Sequence, residues 1–420
     1  MRAMPFAFDE FSFTRSAMGV DYHLIPQMHV LFFGPIECAR HSFSSLVDDE
    51  DASILVVTDV QASLGETERL VADAVSEIVE DDDSIRGFLL CTACQTTFLG
   101  IDFDGLCADL HERFGLCFAH LEANRMRAEN IPGASRKDIP GGDRYHFRKA
   151  LFKMLEQREE PAGKRGILVL SEDPLAGECD LKQLQAVEGV DWVKSVGDLQ
   201  SFDELLACKD ALFAVSTSIV WNETAEYLSS EYGIEALVCP TSYDFDEIDA
   251  YYDQLAQGAE RELGISAAEV VEGIRVRGLE SAREAIERVR TLDSEIDLDL
   301  RLVHRPFSMV EALGRSGFEV VDFMPSRMRM MHKEPDDLPA YERLAAQDPQ
   351  FAERYASNAR GKRVRRSNRA RNMGAPGRFV PSDPVSREKH VRGEQSWWGY
   401  SSIVELMHEL ERAAGEGGNR

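Results

Sequence analysis

The chain has 420 residues, of which 47 are Lys or Arg and 74 are Asp or Glu, so that its formal net charge is -27. Because phosphate recognition needs a basic face, this acidic balance argues against a nucleic-acid-binding protein. A chain of this length is predicted to form two or three domains.

The N-terminal stretch MRAMPFAFDEFSFTRSAMG carries acidic residues within its apolar part and lacks the order of a secretory signal. No apolar run in the sequence is long enough to span a bilayer. We therefore expect a cytoplasmic protein without a membrane span. The 8 cysteines are then expected to be free thiols rather than disulfides, with a few of them available to bind metal.

The first part of the chain alternates short apolar runs with amphipathic segments. Three runs are predicted to be buried parallel strands: MHVLFFGP (28–35), ASILVVTD (52–59) and IRGFLLCT (85–92). Helices are predicted over 63–80, with Ser63 as the cap, and over 103–115. This alternation predicts a parallel sheet that holds ligands at the carboxyl ends of its strands.

A second alternating pattern begins after residue 165. Three further strands are predicted in GILVLSE (166–172), ALFAVST (211–217) and IEALVCP (234–240). Helices are predicted in LKQLQAVEGV (181–190) and NETAEYLSSEYG (222–233). Helical spacing then continues over 241–300, and a strand, a helix and a strand follow up to residue 325, so that the third pattern is incomplete.

These patterns predict an α/β protein with two to three doubly wound, Rossmann-like domains. The predicted domains are 1–155, an N-terminal α/β domain; 156–265, a second α/β domain; and 266–420, a divergent third domain with a basic loop at 333–395 and a C-terminal helix. The basic run RGKRVRRSNRAR (360–371) is predicted to be an exposed segment or a docking site for an acidic partner. Trp397 and Trp398, before the last helix, are predicted to pack.

Cysteines follow two of the predicted strands. Cys38 lies four residues after Gly34, and Cys94 lies just past the end of the third predicted strand. Because the carboxyl ends of parallel strands meet at one edge, both thiols are expected there. Such thiolates suit an iron–sulfur cluster better than a closed tetrahedral zinc site. Spacing alone leaves two alternatives, a redox pair of Cys91 with Cys94 and ordinary buried thiols.

The residues around these cysteines resemble a known family. FFGPIECARHSF resembles the Gly-Pro-x-x-Cys segment of nitrogenase component 1 subunits, and CQTTFLGID resembles their Cys-x5-Gly-x-Asp segment, matching Cys94, Gly100 and Asp102. The resemblance covers about 30–120 and 165–260 and fades afterwards. This oxidoreductase family includes nitrogenase MoFe protein subunits, cofactor scaffolds and dark-operative protochlorophyllide reductase-like proteins.

The resemblance implies a homodimer, or a heterodimer with a paralogous subunit, that holds an iron–sulfur cluster between its subunits. Cys38 and Cys94 carry over as cluster ligands, and because no Cys occurs between 39 and 90 the implied cluster is of the 4Fe-4S type with two ligands per chain. Cys91 departs from the family pattern and is a third or substitute ligand. At a strand rise of ~3.3 Å per residue it lies about 10 Å from Cys94, which favours one of the two over both.

The resemblance also implies an oxidoreductase subunit that receives electrons from an ATP-dependent iron–sulfur reductase and reduces an unknown substrate. Ser216 or Thr217 stands where nitrogenase has the cysteine that holds its catalytic cofactor, so dinitrogen reduction is not expected. A non-catalytic scaffold for metal cluster or cofactor assembly is the alternative. Asp102 and Asp104 are predicted to cap the helix that begins at Phe103, with proton delivery as their alternative role.

Overall fold

The structure is a computed structural model, and it describes residues 25–35, 52–93, 101–123, 142–158, 165–171, 173–291, 296–300, 303, 305–325, 336–348, 350–351, 378–379 and 396–417. The described residues form two compact units. The first unit comprises those within Met1–Leu168, Val196–Leu212 and Val220–Ala236, and the second comprises those within Val169–Ser195, Phe213–Ile219 and Leu237–Arg420. The predicted domain boundaries at residues 155 and 265 stay a prediction.

The described chain alternates strands and helices, as the apolar patterns predict. The strands are β1 (Met28–Gly34), β2 (Ala52–Val56), β3 (Gly87–Ala93), β4 (Cys117–Ala123), β5 (Gly166–Leu170), β6 (Trp192–Ser195), β7 (Ala211–Ser216), β8 (Ala236–Val238), β9 (Ile296–Leu300), β10 (Val320–Pro325) and β11 (Arg378–Phe379). The helices are α1 (Asp59–Ser63), α2 (Thr67–Asp81), α3 (Phe103–Phe114), α4 (Gly142–Lys153), α5 (Phe202–Ala207), α6 (Asn222–Tyr232), α7 (Phe245–Leu263), α8 (Ile265–Arg290), α9 (Pro306–Arg315), α10 (Leu338–Gln347) and α11 (Tyr400–Gly417). None of the described helices is both long and apolar enough to cross a bilayer.

The first sheet is parallel and has the strand order β2-β1-β3-β4. Apolar side chains on one face, among them Leu31 and Leu90, pack with Val71 of α2 and Leu106 of α3 in one core. Successive side chains of a strand point to opposite faces. Leu89, on the other face, is also buried, so both faces of this sheet are covered, as expected for parallel strands.

Two further sheets complete the strand arrangement of the described residues. The second sheet is parallel with the order β6-β5-β7-β8. The third has the order β10-β9-β11, and its strands also pair in parallel. The predicted fold class, an α/β protein with doubly wound Rossmann-like domains, is confirmed.

Buried polar contacts fix α9 within the second unit. The carboxylate of Asp337 accepts the backbone N–H groups of Phe307 at 3.2 Å and Ser308 at 2.7 Å, which caps the first turn of α9. Just before this helix, the buried guanidinium of Arg305 donates to both carboxylate oxygens of Glu247 at 2.8 and 3.1 Å. A helix cap and a bidentate ion pair therefore hold α9 in one orientation.

Residues 396–417 pack onto the rest of the second unit. The indole N–H of Trp398 donates to the backbone oxygen of Cys239 at 2.9 Å, and the hydroxyl of Thr241 donates to the backbone oxygen of Trp397 at 3.3 Å. The following helix, α11, packs along α8. The prediction that Trp398 packs is confirmed, since this indole is almost wholly buried.

Candidate functional site

The carboxyl ends of β1 and β3 lie side by side in the first sheet. These strands are direct neighbours and parallel, and Phe33 stands opposite Thr92 in their register. Neighbouring strands are about 4.8 Å apart. Cys38 and Cys94 lie outside the described residues, and their role as cluster ligands stays a prediction. Gly34 and Ala93, the last residues of these two strands, therefore lie at one edge of the sheet.

Cys91, the third predicted ligand, lies inside β3. It pairs in register with Phe32 on one side and Leu121 on the other, and its side chain is 0% exposed. Burial raises the pKa of the Cys91 thiol far above its ordinary value. Because the thiolate is the metal-binding form, this environment favours the alternative that Cys91 is a structural thiol. Its role as a ligand stays a prediction.

A polar pair links β3 to β4, the strand on the side of β3 away from β1, near the carboxyl ends of the strands. The hydroxyl of Thr92 and Nε2 of His120, on β4, form a hydrogen bond of 2.8 Å. The imidazole of His120 also stacks on the ring of Phe103, with centroids 3.8 Å apart and planes at 12°. This arrangement holds a titratable group close to the carboxyl ends of the strands. Sequence reasoning missed His120 because β4 was not predicted, although CFAHLEA has the alternation of a strand.

Asp102 is the N-cap of α3. Its carboxylate accepts the backbone N–H of Gly105 at 3.0 Å. The predicted capping role of Asp102 is therefore confirmed. Among the residues that the structure describes, no group of three or more His, Cys, Asp or Glu side chains is arranged to hold a metal ion.

Two residues with hydroxyl side chains lie at the carboxyl end of β7 in the second sheet. The Ser216 hydroxyl donates to the backbone oxygen of Ser218 at 2.9 Å, and the Thr217 hydroxyl donates to that of Leu170 at 3.2 Å. Both side chains are buried. Their hydrogen bonds to the backbone give both side chains a structural role. One of them stands where the resemblance implies the cysteine that holds the cofactor of nitrogenase.

Sequence reasoning also missed a buried carboxylate in the second unit. Asp180 is only 4% exposed, and it accepts the hydroxyl of Tyr252 at 2.5 Å and the backbone N–H of Ser401 at 3.0 Å. Burial raises the pKa of the Asp180 carboxyl to about 6, and these hydrogen bonds oppose the rise. Ser401 lies in the first turn of α11, so Asp180 acts as a cap that is supplied from elsewhere in the chain.

The Asp180→Asn variant is expected to gain stability relative to the wild type as the pH rises. A carboxyl whose folded-state pKa is raised stabilises the fold below its unfolded pKa, near 3.8, and loses that contribution as the pH passes about 6. Asparagine keeps an acceptor oxygen but does not ionise. The gain between pH 4 and pH 7 is expected to be roughly 3 kcal/mol. Urea unfolding of both proteins across this range measures it, and parallel stability curves would contradict the assignment.

Comparisons with known proteins bear on the family and the fold. Residues 16–298 match the family described as nitrogenase component 1 type oxidoreductase. A solved structure titled "Nitrogenase Cp1 at pH 6.5" is 12% identical over 96% of this chain and 91% of that chain, with a TM-score of 0.57. A second, "Nitrogenase Cp1 at pH 5", is 14% identical over 97% of this chain and 88% of that chain, with a TM-score of 0.49.

None of the curated proteins matches the sequence. At such low identity the first solved structure shows a shared fold alone. The family match is independent of that likeness and extends over more than half of the chain, including the segments around Cys38 and Cys94. The chain belongs to the nitrogenase component 1 type oxidoreductase family.

Proposed function

We propose that this protein is an oxidoreductase subunit that holds an iron–sulfur cluster of the 4Fe-4S type through Cys38 and Cys94. Each chain supplies two thiolates, and a second chain, identical or paralogous, supplies the other two. An ATP-dependent iron–sulfur reductase is its electron donor, and the substrate is a molecule other than dinitrogen. Membership of the nitrogenase component 1 type oxidoreductase family supports this class of activity.

The observation that carries the proposal is the adjacency of β1 and β3. Cys94 is bonded directly to Ala93, the last residue of β3, and Cys38 follows Gly34, the last residue of β1, by four residues. We infer from these strand ends that the two thiols come together near this edge, which fits the donor chemistry of an iron–sulfur cluster, since such clusters are held by cysteine thiolates. Cys91 is buried within the strand, and we assign it to the core.

When bound, such a cluster supplies one-electron transfer. In this proposal, Cys38 and Cys94 hold it at the edge of the first sheet. His120 offers a proton-binding group near the same edge, oriented by its hydrogen bond to Thr92 and shielded on one ring face by Phe103. The absence of a cysteine at Ser216 and Thr217 argues for a substrate other than dinitrogen.

Anaerobic purification followed by iron and labile-sulfide analysis tests this proposal. A 4Fe-4S cluster shared by two chains gives about two irons and about two sulfides per chain, with an electron paramagnetic resonance signal after reduction by dithionite. Protein without iron, sulfide or signal would contradict it. If the loaded protein passes its cluster stoichiometrically to an acceptor and supports no turnover with a reductase, the scaffold alternative is the correct one.

A further inference from the structure

The first turn of α6 concentrates buried polar groups. Trp221, the residue before this helix, and Thr224 are both 0% exposed. The indole Nε1 of Trp221, the side-chain oxygen of Asn222 and the hydroxyl of Thr224 have no hydrogen-bond partner among the described residues. All three groups belong to a segment of four residues in the first unit.

Such a concentration is unusual for a folded protein. Buried polar groups nearly always form hydrogen bonds, because a group taken out of water without a partner destabilises the native state. A single orphan group is explained by a local defect or an ordered water. Trp221 and Thr224 are three residues apart and therefore lie on the same side of this turn, whereas Asn222 faces another side of the helix. Two orphan donors side by side indicate a place where a polar ligand completes the hydrogen bonding.

The chemistry of these groups restricts what the ligand is. An indole N–H is a donor only, so the group that faces it must be an acceptor. The N-terminus of a helix carries a partial positive charge and free backbone N–H groups, and no side chain caps the start of α6. The buried guanidinium of Arg148 lies 5.1 Å from the centre of the Trp221 ring and adds a full positive charge. Glu223, in the same turn, carries a negative charge that partly offsets the attraction of Arg148 for an anion.

We propose that the first turn of α6 binds an oxyanion, the carboxylate or phosphate group of a small molecule. In this site the Trp221 N–H and the Thr224 hydroxyl donate hydrogen bonds to the anion, and Arg148 provides the charge. Phe152, whose ring meets that of Trp221 edge-on with centroids 6.5 Å apart, shields the indole from water. The site uses none of the cluster cysteines, so it is testable whether or not iron is bound.

Isothermal titration calorimetry with inorganic phosphate, succinate and neutral acetamide tests the site. The wild-type protein is expected to bind phosphate or succinate with one site per chain, and the anion that binds identifies the source of the oxyanion. Thr224→Val removes one donor and keeps the shape of the side chain, and Trp221→Phe removes the other donor and leaves a smaller aromatic ring. Each is expected to weaken binding about tenfold or more. Thr67→Val, a buried threonine at the start of α2, is the control that keeps full affinity.

Absence of binding by both anions, equal binding of acetamide, or unchanged affinity in both donor variants would overturn the proposal. A second measurement needs no ligand. If the Thr224 hydroxyl awaits a ligand, Thr224→Val in the ligand-free protein replaces an unpaired buried hydroxyl by a methyl group and should raise Tm. A lower Tm would show that the hydroxyl has a partner within the protein, which contradicts the site.

Discussion

The Cys94→Ala variant is expected to bind at least about tenfold less iron per chain than the wild type, whereas Cys91→Ala is expected to bind as much as the wild type. The two residues are three positions apart, yet Cys91 lies inside β3 with a wholly buried side chain and Cys94 follows the last residue of that strand. Removing one of two thiolates that a chain supplies leaves the cluster incompletely held. Iron and labile sulfide per chain after anaerobic purification measure both effects.

Cys107→Ala provides the matched control for this pair. Its thiol is also buried, in α3, and burial raises its pKa to about 12. The control separates loss of a ligand from the general effect of a small cavity in the core, which costs about 1 kcal/mol for so few atoms. Loss of iron in Cys91→Ala together with retention in Cys94→Ala would make Cys91 the ligand.

Replacing Gly399 by alanine is expected to destabilise the protein by about 3 kcal/mol. Gly399 has φ 68°, in the left-handed region, where a side chain costs about 1–2 kcal/mol. A Cβ atom there would also lie 2.6 Å from the Tyr252 hydroxyl and 2.8 Å from an Asp180 carboxylate oxygen. The hydrogen bond between these groups must then break or shift, which adds about 1–3 kcal/mol. Urea unfolding at pH 7 measures the loss.

Gly233→Ala separates the two contributions. Gly233 ends α6 with φ 67°, but no described atom lies within 4 Å of the position that its Cβ would take. Gly233→Ala is therefore expected to lower the free energy of unfolding by the backbone contribution alone, about 1–2 kcal/mol, without any steric overlap. Equal losses in the two variants would show that the contacts of Gly399 with Asp180 and Tyr252 do not matter for stability.

Local patterns predicted most of the strands and helices. The run at 28–35 became β1, Met28–Gly34, and the helix predicted at 103–115 became α3 with Asp102 as its cap. In both cases the signal is contained in a few neighbouring residues, such as an apolar run that ends in Gly-Pro or an acidic residue before a helix. The fold class followed from the order of these elements.

Predictions failed where local preference competes with context. Ser63 was expected to cap the helix over 63–80, but it is the last residue of α1, and α2 begins only at Thr67. LKQLQAVEGV was predicted as a helix, and the chain instead forms a 3₁₀ helix over Asp180–Ala186. Helix boundaries depend on backbone turns that single residue types do not determine.

Functional and buried polar positions were harder to predict than elements. His120 was not predicted as a site residue because its strand, β4, was not predicted. Its hydrogen bond to Thr92 brings it close to the sheet edge where the cluster ligands are predicted. Asp180 and Ser401 are 221 residues apart in sequence, and no local pattern reports that they meet. The partnerless hydroxyl of Thr224 is a property of packing. Such pairs depend on tertiary contacts, whereas the cluster ligands were proposed from motifs.

The packing of residues 396–417 against the rest of the second unit also bears on the order of events during synthesis. The ribosome makes these residues after every described strand of the sheets, so the bonds from Trp398 to Cys239 and from Ser401 to Asp180 can form only after all of those strands have been synthesised. β1 to β4 are complete by residue 123, long before that moment. The strands of the first sheet can therefore pair on the nascent chain, whereas the second unit is complete only after contacts of very high sequence separation have formed, a class of contact that slows folding in general.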